Sequence, residues 1–275
     1  MRRVVFNHKG GVGKSTIACN LAAVSAAGGA QTLVVDLDPQ GNSTQYLLGK
    51  WEGELAPTIA GLFEQALGFP LQPKTPEEFI HGTRFEHLDI LPSHPSLFEL
   101  QSKLEARYKI FKLREALAQL DRRYDVIYID TPPALSFLAR SALIAAHTCL
   151  VPFDCDAFSR RALYGLLDDI DEIRADHNAG LVIEGIVVNQ FLPRARLPQR
   201  MAQELLAEGQ PLLEPYLSSS VKVRESHERA TPLIHLAPKH KLTQEYIALH
   251  ARLEERRQVK RAEARTSEDR TYAYW

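Results

Sequence analysis

Two hundred and seventy-five residues make one large α/β domain or two small ones, and 45% apolar with 24% charged residues excludes a disordered chain. Thirty-three Lys and Arg stand against thirty-four Asp and Glu, so attraction of the whole molecule to nucleic acid or anionic lipid is excluded, and such binding needs a local patch. Cys19, Cys149 and Cys155 form no C-x-x-C pair, which argues against a disulfide framework, a zinc ribbon or an iron–sulfur or dithiol centre and for reduced thiols in the cytosol.

Short β-branched runs alternate with helical patterns, the order expected of a doubly wound, mostly parallel sheet flanked by helices. After Met1-Arg2-Arg3 a strand is expected at residues 4–6, too short an apolar run for a secretory leader. A helix follows at 15–27, separated from that strand by Lys9-Gly10-Gly11-Val12-Gly13-Lys14-Ser15-Thr16. The second strand, 32–36, runs into Asp36-Leu37-Asp38-Pro39-Gln40-Gly41-Asn42. Residues 52–83 are punctuated by Gly and Pro and form the least regular part of the interior. Strands at 88–91, 126–129, 149–151 and 182–189 then alternate with helices at 96–120, 136–146 and 159–176. The longest apolar stretch, 142–153, is broken by His147 and Pro152 and is too short to span a bilayer. Helices are expected near 198–208 and 241–257, with looser turns between them. No repeat or low-complexity linker divides the chain. Residues 1–258 are therefore expected as one domain, and 259–275 as a charged, flexible tail whose Tyr272, Tyr274 and Trp275 offer an apolar handle for a partner.

The segment 9–16 carries the chemistry of phosphate binding. Glycines let backbone N–H groups converge on phosphate oxygens, and the amino end of the following helix adds partial positive charge. Gly10, Gly11, Val12, Gly13, Lys14, Ser15 and Thr16 are the candidate nucleotide cradle. Lys14 is placed to reach the β- and γ-phosphates, and the Ser15 hydroxyl to sit on Mg²⁺. The general P-loop pattern has a glycine where His8 stands, and here an additional lysine, Lys9, follows. Asp130 ends an apolar strand at its carboxyl edge, where ligands bind in open α/β sheets, and has the placement of a Mg²⁺-holding aspartate. Asp36 and Asp38 share one side of the second strand's end, where Pro39 stops it. One of the two suits an attacking water and the other the metal shell. A turn rich in Asp, Pro, Gly and Asn is also ordinary punctuation, and the adjacent phosphate loop is what favours the chemical reading.

Residues 9–16, 36–42 and 124–133 together resemble the ParA family of deviant Walker ATPases. The likeness continues through Gly185-Ile186-Val187-Val188-Asn189 and Val221-Lys222-Val223-Arg224-Glu225, which extends it over most of the chain. The resemblance implies a P-loop NTPase fold with ATP and Mg²⁺ as cofactors and a homodimer formed around ATP. It implies DNA binding without sequence preference, and discharge by an adaptor protein that stimulates an otherwise slow hydrolysis, to position a plasmid, chromosome or protein cargo. It further implies that Lys9 crosses to the other subunit's phosphates, a cation supplied in trans. By the same likeness Asp38 positions the water and Asn189 meets the adenine edge. Lys9, Lys14 and Asp38 are then the catalytic candidates, and Ser15, Asp130 and Asp36 the metal candidates. Two departures stand out: His8 replaces a common glutamine, and Leu217-Ser218-Ser219-Ser220 replaces Ile-Pro-Arg-Asn.

Between residues 194 and 261 thirteen Lys and Arg face eight Glu, on a chain of formal net charge −1. Such asymmetry is expected of a near-neutral protein with a local DNA patch. Arg194 and Lys222 match family positions implicated in DNA contact, and Arg224 joins them as a candidate. A solvated helix face explains the basic residues of 252–261 equally well. Two alternatives remain. A membrane-bound division regulator of the same superfamily needs a greasy C-terminal helix face, and residues 249–257 are too charged for one, so no membrane partner is expected. A metabolic P-loop enzyme is disfavoured by the run 36–42. The expected location is the cytoplasm, on the nucleoid.

Overall fold

A computed structural model describes residues 1–49, 55–68, 70–155 and 159–272. The chain runs β1 (Arg2–Val5), α1 (Lys14–Ala27), β2 (Thr32–Asp36), α2 (Asn42–Leu48), α3 (Ile59–Leu67), β3 (His81–Gly82), β4 (Leu88–Leu91), α4 (Leu97–Ala106) and α5 (Lys112–Leu120). It continues through β5 (Val126–Asp130), α6 (Phe137–Ala145), β6 (Thr148–Asp154), α7 (Ser159–Asp176), β7 (Val182–Asn189) and α8 (Arg196–Ala207). Last come β8 (Leu212–Leu213), α9 (Lys222–Glu228), α10 (Leu233–Leu236) and α11 (Lys241–Tyr272).

The strands form one sheet in the order β3-β4-β2-β5-β1-β6-β7-β8, parallel at every pairing except β3 with β4. Side chains alternate across it. Leu33, Val35, Ile127 and Ile129 face a layer that includes α3 to α8, whereas Val34, Tyr128 and Leu150 face α1, α2, α10 and α11. This burial on both faces is why the strands read as unbroken apolar runs. Helix α5 buries Leu113, Ala116, Leu117 and Leu120, one face at the 3.6-residue period.

Some boundaries differ from expectation for identifiable reasons. The pattern at 96–120 is two helices, because the chain turns at residues 107–111, where Tyr108 takes a left-handed φ of 54°. The irregular 52–83 stretch contains α3, whose apolar residues sit on the sheet. Helix α11 runs to Tyr272, beyond the expected end near residue 257. Residues 241–272 contain no Gly or Pro and many Ala, Glu, Lys and Arg, which favour helix. The side chain of Tyr272, and Tyr274 and Trp275, lie outside the described residues. Among the described residues no helix is long and apolar enough to cross a membrane.

One buried charge knits the far end of the sheet together. Arg3, fully buried on β1, donates to both carboxylate oxygens of Glu184 on β7 at 2.6 and 2.7 Å and to the Tyr128 hydroxyl at 3.0 Å. Thr148 donates to the same carboxylate, and Glu254 of α11 approaches the guanidinium at 3.6 Å. A buried ion pair of this kind persists because its remaining hydrogen-bonding positions are filled.

Candidate nucleotide site

The register places Asp130 opposite both Val5 and Asp36, so the carboxyl ends of β1, β2 and β5 are level. The loop leaving β1 turns through Gly11 (φ 78°) and Gly13 (φ 91°), left-handed conformations that favour glycine. Gly13 caps α1, and Lys14 is that helix's first residue. The Lys14 ammonium folds back to donate to the Lys9 carbonyl at 2.9 Å and is almost fully buried. Burial draws its pKa down, while the Asp130 and Asp38 carboxylates oppose that shift.

Asn189, the last residue of β7, holds the loop in place: its amide donates to the Val12 carbonyl at 2.9 Å. The neighbouring Gln190 donates to the Gly11 carbonyl at 3.0 Å. Asn189 was expected at the adenine edge; it does line the cavity beside the loop, but one amide hydrogen is committed to the loop itself. Lys9 carries its ammonium to Asp154, at the end of β6, at 2.6 Å. His8, where the general pattern has glycine, lies 3.1 Å from Asp169 of α7.

The carboxylates divide their work. Asp130 accepts from the Ser43 hydroxyl at 2.7 Å through one oxygen, while its other oxygen is buried without a hydrogen-bond partner. Burial raises its pKa against the lowering effects of Ser15 and Ser43. Asp36, expected to support metal, accepts from the Thr44 amide and hydroxyl at 2.8 Å each and from the Asp38 amide at 3.1 Å. These bonds make Asp36 the anchor of the turn that leads into α2. Asp38 sits inside that turn, accepting from the Gln40 amide at 3.0 Å, and burial raises its pKa while Lys14 lowers it. Ser93 donates to the Asp38 carbonyl at 2.6 Å and fixes the turn from the next strand's end.

Two cavities of about 340 Å³ each flank the loop and share Gly11, Gly13 and Thr16. One is walled by Lys14, Ser15, Asp38, Gln40, Pro133 and His227 and has the donor set for polyphosphate. The other is walled by Asn189, the serines 218–220, Arg224 and Tyr246. Of these, Ser218 is held by Glu245 of α11, which accepts from its amide and hydroxyl at 2.7 and 2.6 Å.

The basic candidates fall on neighbouring segments. Phe191 bridges to Ser218 in parallel, so Arg194 and Lys222 each lie a few residues beyond a paired position. Arg194 is exposed ahead of α8. Lys222 begins α9 and pairs with Glu225 at 2.6 Å. Arg224, expected on the DNA patch, is exposed but also lines the cavity beside the loop. Sequence reasoning missed Ser43, Thr44, Ser93, Tyr46 and His227. For Ser43, Thr44 and Tyr46 a local signal existed, since they lie in the helix that follows Gly41; for Ser93 and His227, brought in from distant segments, none did.

A protein-family model described as an AAA domain matches residues 3–183. The chain is 34% identical over 254 residues to the chromosome partitioning protein ParA of Myxococcus xanthus, covering 92% of this chain and 87% of that one. It is 35% identical over 240 residues to the chromosome-partitioning ATPase Soj of Thermus thermophilus, covering 86% and 89%. Among solved structures it resembles cobyrinic acid a,c-diamide synthase from Mycobacterium smegmatis with bound ADP and magnesium: TM-score 0.80, 25% identity, 94% of this chain and 95% of that one.

Proposed function

The chain belongs to the ParA family of ATPases, and from that premise we propose that it is an ATP-driven switch that dimerises around Mg-ATP, binds DNA without sequence preference and is discharged by an adaptor protein. The supporting observation is the convergence of Lys14, Asp38 and Asp130 at the level carboxyl ends of β1, β2 and β5, with Lys9 on the same loop.

ATP is the substrate and Mg²⁺ the cofactor. The residues fit the cation: Asp130 keeps an unpartnered buried oxygen, and the Ser15 side chain is close enough to lower its pKa. Ser15 and Asp130 would hold it, while Asp36 keeps the turn in shape. Bound there, the cation neutralises charge on the β- and γ-phosphates. Lys14 and the loop amides hold those phosphates. Asp38, rigid within its turn, orients the attacking water. Lys9 leaves Asp154 to reach the phosphates of the second subunit, which makes hydrolysis depend on dimerisation. Arg194 and Lys222 supply phosphate contacts that a dimer doubles, so the logarithmic salt slope of DNA binding roughly doubles too.

Lys14→Ala removes the cation folded into the loop, and calorimetric titration should then show no Mg-ATP binding. Equal affinity in the variant and the wild type refutes the site. Filter binding in ATP and in ADP across a salt series tests the switch, and equal DNA affinity in both nucleotides sinks it. The likeness to a metabolic synthase favours a second reading, an ATP-dependent ligase. That reading predicts turnover raised by a small-molecule acid and indifferent to DNA.

A further inference from the structure

Helix α9 carries two of the basic candidates, Lys222 and Arg224, near its start and His227 in its last turn. His227 Nε2 lies 3.1 Å from the Thr16 hydroxyl of the phosphate loop, and its ring lines the cavity that also holds Lys14 and Asp38. The same ring packs against Tyr46 of α2, centroids 4.4 Å apart and planes tilted by 36°. Next to it the Ser226 hydroxyl pairs with the Tyr46 hydroxyl at 2.9 Å, which also accepts from Asn20 of α1 at 3.1 Å. Helix α9 thus touches both segments that a nucleotide would engage, the phosphate loop and the helix after the carboxylate turn. Its carboxyl end, beside His227, is tied to the body by Arg84, which donates to the Arg229 and Ala230 carbonyls at 3.1 and 2.9 Å. Seven residues span about 10 Å, so a shift at His227 is carried to Lys222 rather than absorbed.

A threonine hydroxyl has a single proton to give. When a phosphate at the loop takes that proton, Thr16 remains available to His227 as an acceptor alone, and Nε2 must become the donor. Phosphate occupancy therefore fixes the tautomer of His227 and holds the ring, already 3.1 Å from Thr16, against the loop. We propose that His227 is a positioning residue that relays nucleotide occupancy from Thr16 to Lys222 and Arg224, linking Mg-ATP binding to DNA contact through α9. The relay rests on the switch reading above, for it presumes that the loop binds ATP.

Two variants separate the hydrogen bond from the packing. His227→Phe keeps an aromatic ring against Tyr46 and removes the polar contact with Thr16, whereas His227→Gln restores a polar group. Hydrogen exchange of peptides covering residues 222–229 is measured with and without saturating Mg-ATP, alongside the ratio of DNA affinities in ATP and ADP. The wild type and His227→Gln are expected to show slower exchange in this helix with Mg-ATP. In His227→Phe that response should vanish and the affinity ratio should fall about fivefold or more, at an unchanged melting temperature. A wild-type exchange response in His227→Phe overturns the relay, as does loss of the response in both variants with a lowered melting temperature. If the wild type binds Mg-ATP and shows the exchange response but no DNA affinity, the switch reading and the DNA end of the relay fail, while the coupling of Thr16 to α9 through His227 stands. If it binds no Mg-ATP, titration shows this directly and both fall.

Discussion

Replacing Gly13 by alanine tests how tightly β7 is coupled to the phosphate loop. The added Cβ would lie 2.4 Å from the Asn189 side-chain nitrogen, at a position where φ is 91°. A left-handed conformation costs a residue with a Cβ about 1–2 kcal/mol. Asn189 is a side-chain terminus and can move, but moving gives up its bond to the Val12 carbonyl, a net loss of about 0.5–1.5 kcal/mol. Together these effects destabilise the protein by about 1.5–3.5 kcal/mol, which for a chain of this size lowers the melting temperature by about 3–6 °C. Calorimetry on a double-mutant cycle isolates the contact. In an Asn189→Ala background the obstacle is gone, so Gly13→Ala should cost about 1 kcal/mol less than in the wild type. Equal costs in both backgrounds would refute the coupling of Asn189 to the loop.

Asp38→Ala should retain Mg-ATP binding yet slow hydrolysis, and size-exclusion runs in ATP should show a persistent dimer; a monomer turning over at the wild-type rate contradicts the assignment. Glu225 neutralises Lys222, so Glu225→Gln should raise DNA affinity about two- to fivefold at low salt, with the gain fading in filter binding as salt rises. Burial raises the pKa of Asp130 to about 6 and of Asp36 well above the usual range. The folded metal-free protein therefore retains protons that the unfolded chain releases. Its stability should fall as pH rises from about 4 through about 6. Magnesium needs the ionised carboxylate, so its affinity should change in the opposite sense, weakening as pH is lowered below about 6. Titrations of Mg²⁺ and denaturant melts at pH 5 and 7 check both signs.

The placement of residues 9–16 between a strand and a helix was legible because the pattern is local: glycine, lysine and hydroxyl fall within eight consecutive residues. The position of Asp130 at the carboxyl end of β5 was legible because a strand's end is marked by the loss of apolar residues. The role of Asp36 was not, since its partners Thr44 and Asp38 show that it holds a turn only once the turn has folded. The wall beside the loop escaped for a different reason. Ser218, Glu245 and Tyr246 come from segments with no periodic signal pointing at one another, and only the packing of α11 on the sheet brings them together. The break at residues 107–111 was hidden because both flanking helices present apolar residues to the same layer.

The placement of Arg3 has a consequence for how a nascent chain matures. β1 emerges first from the ribosome, yet its sheet neighbours are β5 and β6, and the counter-charge for its buried guanidinium lies 181 residues downstream. Until Glu184 is made, closing the centre of the sheet would strand a cation in an apolar interior. Synthesis should therefore leave the amino-terminal half open and protease-sensitive until β7 arrives, a long window in which unpaired strand edges are exposed to holdase chaperones.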